Sequence, residues 1–321
     1  MPTATNHVID NIPDLAWQSG RQCTFLGALE AALAVMPHPT DYVDLMGFTA
    51  LAFRTRWWKA NEKASWCPSS PVGEMDEEIA AADRASGWPL IKRFPYSEEE
   101  RKSGAGEIVA SIDAGRPVLA YDSGLNLGVV CGYDEDGKTL KFKTYRGEIT
   151  VEPAKLGWFW IFLGDHRGRP DVKESVAAGL RQAVLNFNRV TARFGPGEYW
   201  YGRAAIARWI ADLSDVSNFG EEQRRKLFFV SHWNFTSMVD ARRAAATFLS
   251  RHVDSPLPAF AEEADLLDGV TRSKDAFLGS WTGKTFEDWD DAVRRRECDV
   301  LQRALEIEER GFASLARLVG A

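Results

Sequence analysis

The sequence of 321 residues has no apolar run approaching the ~20 residues of a membrane span. Its opening, MPTATNHVIDNIPDL, lacks a basic segment followed by an apolar one, so no secretion signal is expected. Cysteine is scarce and scattered. Cys23, Cys67, Cys131 and Cys298 form no CxxC pair and no dense framework, which argues for reduced thiols in the cytoplasm. No His, Cys and carboxylate cluster has ligand spacing, so neither a metal nor another cofactor is expected. There is no excess of basic charge either: 39 Lys and Arg against 46 Asp and Glu leave a net charge of −7. That balance argues against a nucleic-acid footprint and against docking on an anionic membrane. No fixed-period repeat is visible.

What is present suits a globular chain with substantial cores: 45% hydrophobic residues, 12 Trp and 18 Phe. In the first half, the spacing of Leu26, Leu29, Leu33 and Met36 predicts a helix from about Gln22 to Met36. A short helix in DYVDLMGF, an acidic-started helix in EMDEEIAAADRASGW and a single helix in SEEERKSGAGEIVASIDAG follow. Then come five strand signals, PVLAYD, LGVVCGYD, TLKFKTY, EITVEP and WFWIFLG, with DEDGK as the hairpin turn between the second and third. GDHRGRPD is the expected domain boundary. Beyond it the patterns predict helices over 172–194, 200–213, 221–229, 237–252, 259–277 and 286–318, and no strand.

WQSGRQCTFLGALEAAL puts Cys23 at a helix start, where unsatisfied N–H groups and the macrodipole favour a thiolate. Gln18, five residues upstream, could supply an amide donor to an oxyanion hole. Alternatively, a thiol beside Phe25 and Leu26 is core.

The order of elements, with Gly115-Arg116-Pro117-Val118 opening a strand and Gly132-Tyr133-Asp134 closing the next, resembles the papain-like fold. More narrowly, it is similar to the bacteriocin-processing peptidases and to the N-terminal domain of the butirosin-pathway acyltransferase family. CTFLGALEAAL followed by DLMGFTALAFR also resembles the opening of bacterial members of that family. The resemblance implies an α+β fold: a papain-like N-terminal domain over 1–165 and an all-helical C-terminal domain over 166–321. It also implies cysteine-dependent acyl transfer or amide or thioester hydrolysis on a small molecule, with Cys23 as nucleophile and Gln18 beside the oxyanion.

The family's histidine slot, about six residues before Gly132, holds Asn126, and the next strand offers Thr144 and Tyr145 where an Asp or Asn should orient that histidine. Asparagine cannot take a proton near neutral pH, so it is no general base. Of the five histidines, His7 lies in an N-terminal arm, His38 in a Pro-flanked loop, His166 in the linker, and His232 and His252 in the helical half. The alternative function is therefore a catalytically inactive papain-like protein that binds a small ligand or partner in an interdomain cleft. Arg54, Trp57 and Trp58, with Tyr121, Asp122 and Asn126, are the candidate ligand-binding residues, since a guanidinium among aromatics suits a carboxylate, phosphate or planar ligand. The bland reading has the tryptophans as packing and Arg54 paired with an acid. The expected partner is a small-molecule substrate or ligand, with no nucleic acid and no membrane; self-association into a homo-oligomer is left open.

Three further motifs read as ordinary structure. GSWTGKT is one residue short of a phosphate loop and follows helices rather than a strand. Arg294-Arg295-Arg296 shares its helix with Asp290, Asp291, Glu297 and Asp299 and reads as a solvated, salt-bridged face. Helix solvation likewise accounts for Glu306, Glu308 and Glu309.

Overall fold

The computed structural model describes residues 6–17, 19–58, 75–124, 126–168, 170–194, 197–254, 257–272 and 286–320. In chain order the first half runs β1 (Asn6–Val8), α1 (Thr24–Leu33), α2 (Tyr42–Phe48), β2 (Arg56–Trp58), α3 (Met75–Ser86) and β3 (Leu90–Arg93). It continues with α4 (Glu98–Ser103), α5 (Ala105–Asp113), β4 (Val118–Tyr121), β5 (Leu127–Asp134), β6 (Thr139–Thr144), β7 (Gly147–Val151) and β8 (Trp160–Leu163). The second half holds α6 (Val172–Asn188), β9 (Thr191–Phe194), β10 (Gly197–Tyr201), α7 (Gly202–Ser214), α8 (Glu221–His252), α9 (Ala259–Arg272) and α10 (Asp291–Val319).

The chain is mixed α+β and falls into two compact units. The first comprises residues 1–45 and 79–171, the second residues 46–78 and 172–321. Among the described residues no helix is long and apolar enough to cross a membrane.

The first unit is built on an antiparallel sheet of order β3-β8-β4-β5-β6-β7, with β1 paired to the far end of β5. Strands β4 to β8 coincide with the five strand signals, because each is a short β-rich run closed by turn residues. Ile108 and Ile112 of α5 pack on Val118, Ala120, Val130 and Phe142. The pleat turns Leu119 and Val129 to the opposite face, and α1 lies against the same two strands, β4 and β5. His7, expected in a loose arm, instead sits in β1, where it pairs with Asp113 at 3.1 Å and lies edge-on to Tyr133. The single helix expected over 97–113 is two. Ser97 and Glu100 form a capping box that starts α4, and Gly104 separates α4 from α5. A Cβ at Gly104 would stand 2.7 Å from the Trp160 ring.

The second unit is helical with a small sheet, which corrects the expectation of an all-helical half. β10 pairs antiparallel with both β9 and β2. The sequence pattern ends one helix at Phe194, breaks at GPGEY and starts the next at Trp200, whereas Thr191 and the alternating aromatics of EYWY favour strands. The helices predicted over 221–229 and 237–252 are one, α8, which also carries Asn234. That asparagine is buried and donates to the Arg56 carbonyl at 3.1 Å. The core gathers Trp57, Trp209, Phe235, Trp289 and Leu301.

Two carboxylates expected on solvated helix faces are buried in this core, because apolar neighbours at helical spacing turn their faces inward. Glu308 meets Arg242, both side chains with no exposure. Glu297 accepts from the Trp289 indole at 3.1 Å, and burial pushes its carboxyl up to about 8. Such an acid holds its proton in the folded chain while the unfolded chain has already lost it. Stability of the second unit should therefore fall as pH rises from about 4.5 to about 8, then level off. In urea titrations across that range, Glu297→Gln should flatten the slope; an unchanged slope would contradict the assignment.

Candidate functional site

Cys23 is the N-cap of α1. Its carbonyl accepts from the Gly27 N–H at 2.9 Å, and its own N–H donates to the Tyr42 hydroxyl at 3.1 Å. The side chain does not cap the helix, and the residue is 7% exposed. Around it the chain builds a polar collar. Arg21 pairs with Glu30, lies 5.9 Å over the Tyr42 ring, and is raised above its ordinary value by that carboxylate. Glu30 also accepts from the Tyr42 N–H at 3.0 Å, so the helix start, Arg21 and α2 are tied together.

The strands reach the same helix end at two points. The N–H of Leu127, first residue of β5, donates to the Thr24 hydroxyl, first residue of α1, at 3.3 Å. Cys23 and Asn126 are thus the residues just before two hydrogen-bonded neighbours. Tyr145, just after β6, donates its hydroxyl to the Arg21 carbonyl at 3.0 Å and lies 4.5 Å from the Trp17 ring. A Cβ at Gly27 would stand 2.1 Å from that hydroxyl, so glycine is what lets Tyr145 approach α1.

Asn126 belongs to a tight turn. Asp122 Oδ1 accepts from the backbone N–H of Gly124 at 2.7 Å and of Asn126 at 2.8 Å. The Asn126 amide donates back to Asp122 Oδ2 and to the Gly124 carbonyl, each at 3.4 Å. Aspartate and asparagine are suited to this, since their short side chains bond backbone two to four residues away. Tyr121 is buried, edge-on to Trp158 at 5.4 Å, and its carbonyl accepts from the Gly157 N–H at 2.8 Å.

Cys23, Tyr121, Asp122 and Asn126 therefore lie in the first unit, and Arg54 and Trp57 in the second. Gln18 lies outside the described residues, as do Cys67 and the GSWTGKT segment. Arg54 is buried and donates to Glu78, whose carboxyl is raised by burial against the pull of Arg54. Trp57 is fully buried. It stacks on Trp209 at 4.8 Å and donates its indole N–H to Asp212 at 2.8 Å. Those contacts make it a core residue of its unit.

The histidines have their own settings. His38 stacks on His166 at 5.2 Å, and His166 on Trp88 at 4.8 Å. His252 packs on Phe248 at 4.9 Å, and His232 is buried in α8. Among the described residues no group of three His, Cys, Asp or Glu could hold a metal.

Tyr42 and Thr24 escaped the sequence reading, which marked Tyr145 only as standing where an orienting Asp or Asn should be. Only the Gly27 position, open on a helix face, hinted that something comes close there. Arg56 was missed as well, although the alternation in RTRWW puts Arg54, Arg56 and Trp58 on one side of the strand. Neither a scan against protein-family models nor a search of curated proteins gives a match to this chain.

Proposed function

We propose that the first unit is a papain-like domain whose cysteine site has lost its base, and that the protein binds a small ligand or partner rather than turning one over. The observation that carries this reading is the Leu127–Thr24 hydrogen bond, which draws the start of β5 to the start of α1. It brings the chain at Asn126 next to the chain at Cys23, the two positions that the resemblance pairs as base and nucleophile. Asn126 has no titratable nitrogen, and its amide is committed to Asp122 and Gly124. A buried thiol whose expected base position holds an asparagine behaves as a small hydrophobic residue. The expected setting is the cytoplasm, where separated thiols stay reduced, with no nucleic-acid or membrane partner.

A second reading, cysteine-dependent acyl transfer or hydrolysis, is favoured by one observation. Cys23 occupies the N-cap position of a ten-residue helix, and the N–H groups and dipole of such a helix end favour a thiolate. The two readings separate in the alkylation of the intact chain, followed by peptide mass spectrometry from pH 5 to 9. The binding reading expects labelling of Cys23 that is negligible at pH 5 to 6 and rises only with alkali. Cys131, whose thiol is pushed up to about 11 by burial, serves as the inert internal reference. A plateau of fast Cys23 labelling at low pH would overturn that reading and restore the catalytic one.

A further inference from the structure

Strand β2 of the second unit carries three buried N–H donors with no acceptor among the described residues. In β2, Arg56 and Trp58 are two residues apart and so share a face; Trp58, like Trp57 and Tyr199, belongs to the buried apolar core of the unit, and Arg56 is buried beside it. Both are 2% exposed. Among the described residues, neither the Nε–H and Nη1–H groups of Arg56 nor the indole N–H of Trp58 meets a hydrogen-bond partner. β10 supplies the neighbours, since Tyr201 pairs with Arg56 in register and Tyr199 with Trp58. The Arg56 guanidinium lies 5.8 Å from the Tyr199 ring and 6.0 Å from the Tyr201 ring.

Arg54 and Arg56 are both buried, Glu78 is hydrogen bonded to Arg54, and among the described residues no carboxylate forms an ion pair with Arg56. Burial and then the nearby Arg54 pull Arg56 below its ordinary range, while burial pushes Tyr201 up to about 12, so Tyr201 offers no anion to Arg56 at neutral pH. An uncompensated guanidinium is among the most expensive groups to bury, whereas an oxyanion would both neutralise it and accept from its N–H groups. Ring faces beside the guanidinium supply the planar walls that suit it.

We infer that Arg56 and Trp58, walled by Tyr199 and Tyr201, form a binding site for a small oxyanion, the carboxylate or phosphate group of a ligand. The site lies within the second unit and does not depend on the reading of Cys23.

The test is thermal unfolding of the full chain at constant ionic strength, titrating orthophosphate or acetate against chloride. A saturable rise in the melting temperature is expected with at least one of the two. Response to orthophosphate alone assigns a phosphoryl group, and response to acetate alone a carboxylate. Arg56→Met should abolish the response while leaving the chloride-only melting temperature unchanged or higher, because it removes an unpaired buried charge at similar volume. Trp58→Phe keeps the ring but loses one donor, and should weaken the half-saturating concentration about tenfold. No saturable rise with either anion, or an equal rise in Arg56→Met, would overturn the site. Should Arg56→Met fail to fold, Trp58→Phe decides, and an unchanged half-saturating concentration would overturn it.

Discussion

Replacing Arg242 with alanine should destabilise the second unit by about 3–5 kcal/mol, enough to unfold many domains at room temperature. Arg242 has no exposure and donates from Nε to Glu263 at 2.9 Å and to Glu308 at 3.1 Å. It also reaches the carbonyls of Ala52 at 3.0 Å and Arg54 at 3.3 Å, and the Thr55 hydroxyl at 2.6 Å. One side chain thus joins α8, α9 and α10 to the segment before β2. Truncation strands two buried carboxyls and two buried carbonyls at once. Burial already pushes Glu263 well above the usual carboxylate range, with Arg242 opposing the shift. Removing the arginine takes away that opposing pull on Glu263.

Chemical denaturation followed by circular dichroism and tryptophan fluorescence measures this directly. Arg242→Met with Glu263→Met and Glu308→Met should recover part of the loss, because no buried charge remains. Recovery should stay incomplete, since the Ala52 and Arg54 carbonyls still lack their donor. A loss below about 1 kcal/mol for Arg242→Ala would mean that the network contributes no more than an exposed ion pair does.

The structure shows which kinds of information a linear reading can reach. β4 to β8 were legible because local composition alone sets them: β-rich runs of four to eight residues, each closed by Gly, Asp or Pro. α1 was legible for the same reason, through apolar positions at helical spacing. The β9 and β10 strands were not, because TARF adjoins α6 and the Trp200-Tyr201 end of β10 adjoins α7, so each was read as an extension of its helix. Glu308 and Glu297 looked solvated, since what buries them is the helix packing opposite rather than anything on α10 itself.

The candidate site was legible in its parts but not in its assembly. Cys23 at a helix start and Asn126 ahead of a strand can each be read locally. Their approach rests on a bond between residues 103 positions apart, and that of Tyr145 on one spanning 124. Such contacts follow from the sheet order, with α1 against β4 and β5, which no local pattern encodes. Arg56 shows the converse. Its alternation with Arg54 and Trp58 was on the page, but that its Nε–H and Nη1–H find no acceptor among the described residues is a property of the folded unit alone.

The central claim is that Cys23 occupies a nucleophile's position with asparagine where its base belongs, and restoring the base tests it most directly. The substitution Asn126→His suits the turn, whose short bonds use the backbone N–H and C=O of residue 126 while its amide contacts are long. A histidine at that position should raise alkylation of Cys23 at pH 6 by at least about tenfold over the parent chain, a modest share of what a positioned base supplies. The gain should vanish when Cys23→Ser is added. A folded Asn126→His chain with the parent's labelling rate, or a parent chain already fast at pH 6, would contradict the account.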